Sequence, residues 1–71
     1  MKLYIWEDVL HDYWPGMIVA IAPDLRSAKD AVRKAYGSGP VLENDLKKVK
    51  PTVVDLSKNP KPKAWYVSGG G

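Results

Sequence analysis

Residues 16–37 read GMIVAIAPDLRSAKDAVRKAYG, a strand run straight into a helix. Met17 to Ala22 is an unbroken apolar run. Its length and its Ile and Val content predict a strand over 17–22, and its lack of polar positions predicts a central strand buried on both faces. Pro23 ends the run. Asp24 can cap the following helix, because its carboxylate accepts from the open amides of the first turn. Leu25, Ala28, Ala31, Val32, Ala35 and Tyr36 recur at helical spacing and predict a helix with one apolar face. Arg33 and Lys34 fall in its last turn, where positive charge suits the helix dipole. Gly37 fits the position that ends it.

Toward the N-terminus, residues 2–6 are rich in β-branched and aromatic types and predict a first strand, extending toward Leu10. Leu3 and Ile5 would face one side, Tyr4 and Trp6 the other. Pro15-Gly16 closes a turn, so the first two strands form a hairpin. Toward the C-terminus, Ser38-Gly39-Pro40 is a turn. Residues 41–48 predict a short second helix with Leu46 and either Val41 or Leu42 as apolar contacts. Pro51 stops it. A third strand is expected over 52–56, a Pro/Lys loop to residue 62, and a fourth strand over 63–67. The pattern ββα(α)ββ is an α+β class: a small, mostly antiparallel sheet with helix on one face. One domain over 1–71 is expected, with a glycine tail at 67–71.

Composition narrows the chemistry. With 71 residues, such a domain buries only about 60% of its unfolded surface and gains roughly 3–5 kcal/mol from its core. There is no Cys and only one His, which removes disulfides, thiolate metal sites and His-rich zinc sites as staples. Association is the remaining one, so a homo-oligomer is expected. The longest apolar run is far below the ~20 residues a bilayer requires, and a cytoplasmic location is expected. The net charge of +3 hides a polarity. Residues 1–24 are acidic, whereas Lys47, Lys48, Lys50, Lys58, Lys61 and Lys63 face Asp55 alone in the last third.

Glu7, Asp8, His11 and Asp12 cluster at the end of the first strand. Carboxylates beside an imidazole can bind a divalent metal or move protons, but a hydrolytic site needs a further ligand or nucleophile. A solvated hairpin shoulder is the plainer reading. Ser27, Ser38, Ser57 and Ser68 have no base beyond that one His. There is no nucleophile elbow, Walker loop or dinucleotide fingerprint. No enzyme and no cofactor are expected.

The aromatic residues are Tyr4, Trp6, Tyr13, Trp14, Tyr36, Trp65 and Tyr66, and Phe is absent. Each carries a polar tip on a flat apolar body, a choice common at binding surfaces. If the first and last strands were neighbours, Tyr4 or Trp6 would lie beside Trp65 or Tyr66 and form a stacking platform; the plainer reading is that two or three of these aromatics, Trp6 and Trp65 among the candidates, complete the core. Lys61 and Lys63 could hold phosphates beside it. Gly69 and Gly70 expose amides to close approach by an anion; a terminal Ser-Gly-Gly-Gly also reads as a frayed tail. Lysines on edge strands equally serve to block sheet-to-sheet association.

The Tyr4-to-Asp8 strand, the strand–Pro–helix unit through Tyr36 and the aromatic stretch into Gly69-Gly70-Gly71 together resemble small phage- and prophage-encoded accessory proteins of unassigned activity. That resemblance implies a counter-defence setting. Such proteins blunt host immunity by sequestering a signalling nucleotide or by binding a defence protein. The expectation is therefore a non-catalytic binding protein that captures a small anionic ligand, with direct inhibition of a host defence protein such as a CRISPR effector as the alternative. A nucleic-acid-binding accessory protein is the third.

Overall fold

The computed structural model describes residues 1–10 and 16–67. Within them run β1 (Lys2–Val9), β2 (Gly16–Ala22), α1 (Leu25–Tyr36), α2 (Pro40–Lys48) and β3 (Thr52–Asp55), then a 3-10 turn over Leu56–Lys58. The architecture is α+β: a three-stranded antiparallel sheet, ordered β2-β1-β3, with both helices on one face.

The core follows from strand alternation. Trp6 pairs with Ile18, Tyr4 with Ala20 and Lys2 with Ala22 across β1 and β2, so those side chains share a face. Tyr4, Trp6, Ile18, Ala20 and Ala22 meet Ala28 and Val32 of α1 and Leu42 and Leu46 of α2 there. The Tyr4 and Trp6 rings stack at 6.2 Å between centroids. Leu42 is the buried residue at the start of α2, and its neighbour Val41 is exposed.

Two expectations are corrected. The central strand is β1, and β2 is an edge. Tyr4, Ile5 and Trp6 are buried in succession, the mark of a strand covered on both sides, whereas Val19 and Ile21 of β2 are 51% and 58% exposed. A run of apolar residues reports hydrophobicity and not how many faces are covered. The second correction is that residues 63–67 form no strand. Pro60 and Pro62 lack amide donors and hold φ near that of a polyproline helix. Asn59 turns the chain in the left-handed region at φ 53. The segment thus does not join the sheet as a strand.

Local signals set the helix ends. The Asp24 carboxylate accepts from the Ser27 amide at 2.8 Å, which holds its carboxyl below the ordinary aspartate range. The Gly37 amide donates to the Arg33 carbonyl at 2.9 Å with φ 101, a conformation that favours glycine. Pro40 opens α2 after Gly39, where a missing amide costs nothing. Arg33 then joins the helices. Its Nε donates to Glu43 Oε2 at 2.8 Å, its Nη2 to Oε1 at 2.9 Å and its Nη1 to Asp30 at 2.9 Å.

The hairpin is less regular. The β1–β2 register shifts between Glu7 and Val9, and Asp8 and Leu10 have φ of 60 and 54. The Leu10 amide donates to Asp45 Oδ2 of α2 at 2.8 Å, so the second helix pins the end of the first strand. A Cβ on Gly16 would sit 2.8 Å from the Val9 carbonyl oxygen.

Candidate functional site

The sheet face away from the helices is built from Leu3, Ile5 and their cross-strand partners. Leu3 lies between Ile21 and Val54, and Ile5 between Val19 and Thr52. On this side the C-terminal segment forms one wall of a cleft of about 550 Å³. Leu3, Val54 and Leu56 give it an apolar floor, and Lys61, Lys63 and Trp65 come from the segment. This volume lies inside the range of roughly 300–1,000 Å³ typical of small-molecule sites.

Charge and ring are adjacent in this cleft. Lys63 Nζ lies 5.2 Å from the centre of the half-buried Trp65 ring, within the reach of a cation–π contact. The lysine is thereby held beside the indole. Asp55 is the sole acid among residues 47–67, and it is turned into its own chain. Its carboxylate accepts from the Ser57 hydroxyl at 2.6 Å and the Ser57 amide at 3.1 Å, and these bonds hold its carboxyl below the ordinary range. The cleft wall is therefore cationic.

Of the residues expected at a site, the fold brings together Lys61, Lys63 and Trp65. Trp6 is removed from it. At 0% exposure it packs under the helices, and its Nε1 has no hydrogen-bond partner among the described residues. The shared platform of Trp6 and Trp65 does not form. Tyr66 is 83% exposed and does not line the cleft. Gly69, Gly70, His11 and Asp12 lie outside the described residues. Glu7 and Asp8 are exposed, and the described residues hold no group of three or more potential metal ligands. No described helix is long and apolar enough to cross a membrane.

The cleft floor was not among the expected site residues. Leu3 and Val54 become a site only through their cross-strand pairing, which links positions far apart in sequence. The alternation of residues 2–6 does carry a partial signal, since it separates Leu3 from the core face.

No family model, curated protein or solved structure matches the chain.

Proposed function

We propose that this chain is a non-catalytic binding protein that captures a small anionic ligand in the cleft under its C-terminal segment. The observation that carries this reading is the convergence of Lys61, Lys63 and Trp65 over an apolar floor. A flat base stacks on an indole whatever its identity, a contact worth ~1–3 kcal/mol per base. Ammonium groups beside the ring attract phosphate, and Pro60 and Pro62 limit the entropy lost in holding the wall in place. A nucleotide combines both features. The likeness to phage accessory proteins makes an immune signalling nucleotide the ligand to try first, with the chain acting by sequestration.

The test is calorimetric titration with cyclic dinucleotides, cyclic mononucleotides and inorganic phosphate, on the full chain and on Trp65→Ala. Saturable binding of one nucleotide class that weakens with salt and is lost in Trp65→Ala supports the reading. No binding by any probe, or equal binding by a folded Trp65→Ala, overturns it. The alternative, inhibition of a host defence protein, draws on the open edge of β2, which can take up a strand from another chain.

A further inference from the structure

The second unpartnered feature of this fold lies on the opposite side of the sheet from β3. Among the described residues no strand pairs with the outer edge of β2. Natural edge strands are usually short, charged or interrupted. This one runs over Gly16–Ala22 with no charged residue. Beside it is a cleft of about 410 Å³ between the strand edge and α1, lined on the helix by Ala31, Ala35 and Tyr36. The expected apolar face of α1 is thus only half covered. Ala28 and Val32 are buried, while Ala31, Ala35 and Tyr36 remain exposed next to the open strand.

We propose that a second copy of this chain occupies this edge, β2 pairing antiparallel with β2 about a two-fold axis near Val19. Two observations favour a like partner. The first is that the strand is self-complementary. Centred on Val19, the pairing sets Met17 opposite Ile21 of the second copy and Val19 opposite its own equivalent, all apolar and all on the face away from the helices. On the helix face it sets Ile18 opposite Ala20, a large residue against a small one. No like charges meet at any position, whereas charged strands would repel in a two-fold register. The second is the helix flank. Ala31 and Ala35 are small, so the α1 of each copy can approach the other above the joined sheet.

This proposal stands apart from the ligand cleft, which lies at the other edge of the sheet. Its test is the mass in solution, by light scattering after gel filtration and by native mass spectrometry. The wild-type chain is expected at twice 7.9 kDa. Val19→Lys puts two ammonium groups against each other at the two-fold and is expected to give a single chain with an unchanged circular dichroism spectrum. Ala35→Glu, on the exposed helix flank, is a second variant should the first fail to fold. Val41→Lys, at an exposed apolar position away from this edge, is expected to stay paired. A wild-type chain that remains single at several hundred micromolar overturns the proposal, including the case in which the edge captures only a foreign protein. A pair that survives both folded variants overturns the placement on β2.

Discussion

Trp6 lies against Tyr4 and the two helices with no exposed surface, whereas Trp65 stands half-buried on the cleft wall beside Lys63. Truncating each should therefore have opposite consequences. Trp6→Ala removes a filled volume from the core at a cost of about 3–5 kcal/mol. A domain of this size has little more than that in total, so the variant is expected to be unfolded at 25 °C by circular dichroism. Trp65→Ala is expected to keep the wild-type spectrum and melting temperature within a few degrees while losing the nucleotide binding proposed for the cleft. Gly16 poses a different constraint. Its Cβ position is blocked by the Val9 carbonyl oxygen, a backbone atom that cannot swing aside. Gly16→Ala should cost about 1–3 kcal/mol by overpacking, read as a lower urea midpoint with an unchanged slope.

Among the elements, α2 has the most to do for its length. Through Leu42 and Leu46 it closes the core, through Glu43 it binds Arg33 of α1, and through Asp45 it holds the irregular end of β1. Asp45→Ala strands the Leu10 amide, and the loss of one such bond is worth about 1 kcal/mol. The expected signature is local: faster hydrogen exchange at Leu10, with the Tyr4 and Ile5 amides of the central strand protected as before. Equal acceleration everywhere would mean that Asp45 supports the whole fold and not the hairpin end. The helices themselves were legible in the sequence because their signals are local. Asp24 and Gly37 bound α1 where expected, and Pro40 begins α2 one residue before the expected start. The role of β2 was not legible, because edge and centre differ by what lies alongside.

Taken as a whole, the fold is held at its surface by carboxylates in their charged form. Asp24 accepts from the Ser27 amide, Asp55 from Ser57, and Glu43 from the Arg33 guanidinium, and each is held below its ordinary range by those bonds. Folded values below unfolded ones mean that the unfolded chain takes up protons first as pH falls. Stability should therefore be flat with pH from neutrality down to about 4.5, the ordinary value of glutamate. It should then decline steadily through the range between the ordinary and the lowered values. Urea midpoints measured from pH 7 to pH 3 check this, and a midpoint unchanged down to pH 3 would contradict it. Because these groups are exposed, salt should flatten the decline.

The cationic character of the last third, the absence of thiol chemistry, both helices, the caps Asp24 and Gly37 of α1, and the α+β class were all determined by sequence alone, since each depends on residue type and on neighbours within a few positions. Which strand is central, which tryptophan is buried and which stands at a cleft, and the path of residues 59–67 were decided only by the tertiary structure. These depend on pairing between distant strands. β1 occupies the middle because β3 returns from beyond two helices to pair with Lys2 to Ile5 on the side that β2 leaves open. That same return carries Lys61, Lys63 and Trp65 onto the face of Leu3 and Val54. Hydrophobic pattern records which residues avoid water; only the assembled sheet records what they avoid it against.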